Sequence, residues 1–215
     1  MNKQGNKLSG RNAGAILLAF LPFLASVSEG HGQEGSPVEV FEGGDVSLAG
    51  LSGERIDRNW FRYVNGRFGM AVDIPAHGYR YTLPVNGSGL TLRSDDEQVT
   101  ITLYAHWVAN PFPHADNNVE ASIKHFFDAD IAQTKANEGT ITYSVRKKQF
   151  YVVSGHFGEN TFYERMTISP RCPAIFNSVR IFSPKARGRE IDNLVTRMSL
   201  SLRATCRGEE GAAKF

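Results

Sequence analysis

The period of the apolar residues changes along this chain, and that change restricts the fold more than any single motif. Over residues 99–107 (VTITLYAHW) Val99, Ile101, Leu103, Ala105 and Trp107 alternate with more polar neighbours. That is the period of a strand with one buried face. Residues 117–136 switch to helical spacing, with Val119, Ile123, Phe126, Phe127 and Ile131 on one stripe. Strand-like runs return over 140–147, 150–157, 161–168 and 174–182. A second helical stripe, Ile191, Leu194, Val195 and Met198, falls within 187–201.

Upstream, FGMAVDIP (68–75) places Phe68, Met70, Val72 and Ile74 on one side and Gly69, Ala71 and Asp73 on the other. Pro75 ends that strand. Asn86-Gly87 signals a turn, GLTLRS (89–94) a short strand, and Asp95-Asp96-Glu97 a second turn. Asp116 or Asn117 is suited to cap the first helix, and Glu138-Gly139 to end it, with Gly139 at the C-terminal cap. The order is β-β-β-α-β-β-β-β-α. Short turns between consecutive strands favour antiparallel pairing, and both helices must bury their stripes on the sheet. The expected class is α+β: an antiparallel sheet of about seven strands packed with two main helices. An all-β barrel is the alternative, and the strong pattern at 117–137 argues against it.

The N-terminus bears on compartment. Lys3, Lys7 and Arg11 precede a short apolar run at 13–25, and the small residues Ser26, Ser28 and Gly30 follow. This is the pattern of a secretory signal over 1–28, with cleavage after Ala25, Ser28 or Gly30. A membrane anchor would need about 20 apolar residues, and Pro22 interrupts a shorter run. Residues 29–57 read as a Gly/Ser/Glu-rich flexible leader, 58–207 as one α+β domain, and 208–215 as a frayed tail. The whole chain has 24 basic and 22 acidic side chains; without the three basic residues of the signal the balance is 21 against 22. A near-neutral domain lacks the electrostatic footprint for nucleic acid or anionic lipid. Nothing after the signal is long and apolar enough to span a membrane. Cys172 and Cys206 are the two cysteines. In an oxidising compartment such a pair most simply forms a disulfide, stabilising by roughly 3–4 kcal/mol on the chain-entropy estimate.

Candidate chemistry is sparse. His31, His77, His106, His114, His125 and His156 lack ligand spacing. His106, His114 and Asp116 flank one Pro-rich loop, but no metal or other cofactor is called for. Ser154 and His156 share a strand face, without the surroundings of a nucleophile elbow. Asp95, Asp96 and Glu97 sit in a turn, and Asp128 and Asp130 on a helix that needs a polar face. A four-residue loop at 158–161 would place Phe157 opposite Phe162, Val153 opposite Met166 and Tyr151 opposite Ile168 on a core face. The other face then carries Ser154, His156, Tyr163 and Arg165, the candidate binding residues. Glu164 would point toward the core beside Gly155 and need a partner or a sheet edge.

Several segments together resemble a known group: YVNGRFGMAVDIP, the turn at 86–89, the acidic turn before VTITLYA, FYVVSG, TFYERMTI and NLVTRMSLSLR. They are similar to exported bacterial domains of unassigned function near the Mog1/PsbP-like α/β/α sandwich superfamily. The matching motifs are scaffold motifs. Ser88 stands where the pattern has an acidic residue, which argues against a metal at that turn. The resemblance implies a periplasmic or secreted accessory module that binds a protein or envelope component without catalysis. The alternatives are an envelope hydrolase using Ser154 and His156, and a small-ligand or ion carrier.

Overall fold

Seven strands pair without a break into one antiparallel sheet, and four strands form a second. The computed structural model describes residues 51–108 and 118–204. The second sheet contains β1 (Gly53–Arg55), β2 (Trp60–Asn65), β3 (Met70–Pro75) and β11 (Arg203–Ala204) in the order β1-β2-β3-β11. The larger sheet contains β4 (Tyr79–Thr82), β5 (Gly89–Ser94), β6 (Thr100–Trp107), β7 (Thr140–Arg146), β8 (Phe150–Phe157), β9 (Asn160–Ile168) and β10 (Ile175–Pro184). Its order is β4-β5-β6-β10-β9-β8-β7. The helices are α1 (Val119–Ala136) and α2 (Gly188–Ser201).

The fold is α+β as expected, and the barrel alternative falls because β4 and β7 are the two ends of the sheet. The membership of the large sheet differs from the expectation. The strand around MAVDIP belongs to the small sheet, and β4 completes the seven. β2 carried no clear signal because apolar residues occupy both of its faces: Trp60 and Val64 on one, Phe61 and Tyr63 on the other. The three-residue β1 lies inside 29–57, the segment read as a leader, and pairs with β2 from Gly53↔Tyr63 to Arg55↔Phe61.

The main core lies between the two sheets and α2. Val72 and Ile74 of β3 meet Leu90, Leu92, Ile101, Leu103, Val179 and Ile181 of the large sheet and Met198 of α2. The alternation of 99–107 holds for Val99, Ile101, Leu103 and Ala105, all buried, but Trp107 is 49% exposed at the strand end. The opposite face of the large sheet receives α1. Ile123 is fully buried there, against Tyr151, Val153, Phe162, Met166 and Ile168. Val119, Phe126, Phe127 and Ile131 are only partly buried around it.

The ends of α1 depart from the expectation. Asn118 is the cap, its side-chain oxygen accepting from the Ala121 N–H at 3.1 Å; Asp116 and Asn117 lie outside the described residues. At the other end Glu138 takes the left-handed conformation (φ 60°), not Gly139. Gly139 is needed for a different reason. A Cβ there would stand 2.5 Å from the Phe157 ring and 2.7 Å from the Thr134 methyl.

The β8/β9 hairpin is tighter than expected. Phe157 pairs with Asn160, leaving a two-residue turn in which Gly158 has φ 54°. The register is therefore Gly155↔Phe162, Val153↔Glu164 and Tyr151↔Met166. It differs by two residues from the expected pairing. A shift of two keeps every side chain on its face, whereas a shift of one would have reversed them all.

Candidate functional site

Asp73 sits in the middle of β3 and is 2% exposed. A carboxylate so placed must be paired. Arg62, directly opposite on β2, donates from Nε to Oδ1 at 2.9 Å, and a second guanidinium nitrogen lies 2.8 Å from the same oxygen. Arg197 of α2 donates from Nε to Oδ2 at 2.8 Å. The Asp73 backbone N–H donates to Ser201 Oγ at 2.9 Å. Helix and strand are thus fastened together through one acidic residue.

Above this knot is an open cavity of about 410 Å³, lined by Arg62, Asp73, Asn193, Thr196, Arg197, Leu200, Ser201 and Arg203. Helical spacing brings Asn193, Thr196, Arg197 and Leu200 to the same wall. The pairing of Arg203 with Ala71 sets the third arginine beside the other two. The Arg62 and Arg197 side chains remain 31% and 42% exposed. The Arg197 guanidinium also lies 5.5 Å from the Trp60 ring centre, which holds its plane. Glu54, opposite Arg62 on β1, is exposed and makes no ion pair among the described residues.

The sequence candidates lie elsewhere. Ser154, His156, Tyr163 and Arg165 do share the face of the large sheet turned toward α2, and Ser154 pairs with Tyr163. The Tyr163 hydroxyl lies 2.6 Å from Ser199 Oγ of α2, and burial raises its pKa. Arg165 covers the Phe150 ring at 4.2 Å. Ser154 and His156 are half-buried, and no hydrogen bond joins them. The structure brings the four onto one face but engages two of them in packing.

A second charged cluster lies under α1. Glu164 is buried and accepts from Arg180 on the neighbouring strand, with Nε at 2.7 Å. The Tyr151 hydroxyl donates to Asp130, and an Arg180 nitrogen lies 4.0 Å from that carboxylate. Burial, with Asp130 nearby, pushes the Glu164 carboxyl up to about 7 against the pull of Arg180. Burial also raises Asp130, opposed by Tyr151 and Arg180. Glu164 thus has the partner it required, but opposite Val153 rather than beside Gly155. Asp130 turns to the sheet instead of lying on a solvated helix face.

His77 Nε2 lies 2.7 Å from the Arg58 carbonyl oxygen, and His106 Nδ1 lies 2.7 Å from that of Trp107. Among the described residues no three His, Cys, Asp or Glu side chains gather as metal ligands would. His31, His114, Asp116 and Cys206 lie outside them. No described helix is long and apolar enough to cross a membrane.

No family model matches the chain, and no curated protein matches it. Among solved structures it is similar to cyanobacterial PsbP from Synechocystis sp. PCC 6803, at 11% identity and a TM-score of 0.49. That match covers 74% of this chain and 99% of the other. It is also similar to the Ran-binding protein Mog1p of Saccharomyces cerevisiae, at 7% identity and a TM-score of 0.45, covering 69% of this chain and 97% of the other. Nothing about activity or partner follows from either.

The arginine cavity was missed because its four charged residues are 62, 73, 197 and 203, far apart in the chain. One signal was available. Asp73 interrupts the apolar run AVDIP, and a charge in such a strand demands a partner. Which arginines would supply it was not readable.

Proposed function

We propose that this chain is an exported, non-catalytic accessory or binding module of the bacterial periplasm or envelope, with the arginine-lined cavity as its binding surface. One observation carries the binding part. Around the cavity the exposed polar groups are three guanidiniums, which only donate, with the Asn193 amide and the Thr196 hydroxyl, which can donate as well as accept. The carboxylate, Asp73, is occupied in orienting two of the guanidiniums. Such a set holds a ligand by donated hydrogen bonds and sets no unpaired base beside the Thr196 hydroxyl.

Export rests on the basic start, the short apolar run and the small residues after it. The Cys172–Cys206 disulfide belongs to the same reading. No free cysteine occurs among the described residues. Ala204, two residues before Cys206, pairs with Met70, while the Cys172 carbonyl accepts from Ile175 at 3.1 Å. Ile175 in turn faces Trp107, whose ring meets Phe68 at 6.2 Å. These contacts support the pairing of the two cysteines.

Expression of the full chain in a bacterium, followed by fractionation and mass spectrometry, tests the proposal. The expected product is an envelope or extracellular protein that begins between Ser26 and His31 and has its cysteines linked. A cytoplasmic chain with Met1 intact and both thiols alkylatable would overturn it.

A further inference from the structure

We propose that the cavity between α2 and the small sheet is a phosphoryl-binding site, with Arg203 and the free edges of Arg197 and Arg62 as its ligands. This rests on reading the cavity as the binding surface and goes on to name what occupies it.

The charge balance favours a dianion. Three arginines and one aspartate line the cavity, which leaves two positive charges. A phosphate monoester carries nearly two negative charges near neutral pH, since its second ionisation lies at about 6. A carboxylate would neutralise only half of the excess. Glu54, opposite Arg62 across the β1–β2 pair, is not among the lining residues.

The geometry favours tetrahedral oxygens approached from several sides. Asp73 takes the Nε edge of Arg197 and one edge of Arg62. Their remaining N–H groups are left directed away from it, in the planar fork that suits phosphate. The Arg203 side chain makes neither an ion pair nor a hydrogen bond among the described residues, although it stands in the same lining. Two of the three guanidiniums are therefore held in place before any ligand arrives, which lowers the ordering cost of binding.

Size and polarity say more about the ligand. About 410 Å³ falls in the ~300–1,000 Å³ range of small-molecule sites. Leu200, 74% exposed, supplies an apolar ledge on the α2 side. A phosphate carried on an organic group fills such a site better than the bare ion. That group has two sources, a soluble phosphomonoester or the headgroup of an anionic lipid.

Calorimetric titration of the folded protein with phenyl phosphate, inorganic phosphate and acetate tests the site. Both phosphates should bind more tightly than acetate, and added salt should weaken them. Arg203→Ala should reduce phosphate affinity about tenfold or more, the usual effect of losing a charged hydrogen-bond partner. Its denaturation midpoint should stay at the wild-type value, because Arg203 braces nothing. Arg203→Lys should recover part of the affinity.

Sedimentation with phosphatidylcholine vesicles, with and without phosphatidic acid, separates the sources. Binding only to the phosphatidic acid vesicles assigns the site to lipid. Tight binding of phenyl phosphate without vesicle binding assigns it to a soluble ester. Acetate binding as tight as phosphate would overturn the phosphoryl assignment while leaving the cavity as the binding surface. Failure of every probe, or an Arg203→Ala protein that binds like wild type, would overturn both.

Discussion

The two faces of the seven-stranded sheet are covered in different ways. One lies under a second sheet and α2, and its centre is aliphatic, Leu90, Leu92, Ile101, Leu103, Val179 and Ile181 against Val72, Ile74 and Met198, with Phe61, Tyr63 and Phe68 in the same cluster. The other lies under α1 alone. There the contacts are largely aromatic, Phe126, Phe127, Tyr151, Phe157, Phe162 and Phe182 among them. The same face also contains the charged group of Asp130, Tyr151, Glu164 and Arg180. A single helix cannot seal a broad sheet. The strands beyond its reach keep a half-exposed arginine, 43% accessible, which in turn allows a buried acid beside it. The face under the second sheet and α2 also holds polar groups, Asn177 fully buried and the Tyr163 hydroxyl bonded to Ser199. The helical face adds the buried carboxyl of Glu164, beside a margin left open to Arg180.

The largest difference should appear on truncation. Ile101→Ala on the closed face should cost roughly 2–5 kcal/mol, as for a buried aliphatic that leaves a cavity. Phe127→Ala on the helical face should cost less, roughly 1–3 kcal/mol. Its ring is only partly buried and meets Tyr151 edge-on at 5.7 Å. From the sequence alone Phe127 would be ranked as a full core aromatic. Chemical denaturation midpoints measure both variants, and equal losses would mean that the two faces are sealed alike.

A pH titration of stability should separate the faces next. The Glu164 carboxyl titrates at about 7 in the folded chain, above its ordinary 4.5. Between those values the native state holds a proton that the unfolded chain releases. Stability from this group is therefore complete below about 4.5 and is lost as pH rises through about 7. Asp130 is shifted in the same direction. Unfolding free energy should fall by roughly 1–3 kcal/mol between about pH 5 and about pH 8. Glu164→Gln should flatten most of that slope. An unsloped wild-type curve would mean that Arg180 compensates the charge fully, leaving the helical face no more pH-sensitive than the other.

The smallest effect belongs to the outside of α1. Lys124 is exposed and pairs with Asp128 one turn away. Lys124→Ala should change the midpoint by less than about 0.5 kcal/mol. A larger loss would show that surface charges, and not the aromatic stripe, hold the helix down.

Much of the scaffold was legible from local pattern. Val99, Ile101, Leu103 and Ala105 alternate because every second residue of a half-buried strand faces the core, and all four are buried. The stripe on α2 is equally direct: Ile191, Leu194 and Met198 are buried. α1 was found by the same reasoning, but the depth of its burial was not, since a stripe says which side is apolar and not how much covers it. β2 stayed hidden because apolar residues on both faces erase the alternation. The hairpin's faces were assigned correctly and its partners were not, because period-two patterning cannot distinguish registers that differ by two.

The sequence by itself determined both helices, seven of the strands and the side those elements turn inward, and the need of Glu164 for a partner. Those are consequences of local geometry and of the cost of burying a charge, which act on residues close in the chain. Tertiary structure alone decided which partners the buried acids meet. Asp73 finds Arg62 eleven positions away and Arg197 at a distance of 124. Arg203 reaches the same cavity only because β11 closes the edge of the small sheet beside β3. Pairings of that kind follow from how strands are ordered across a sheet, which periodicity along the chain does not encode.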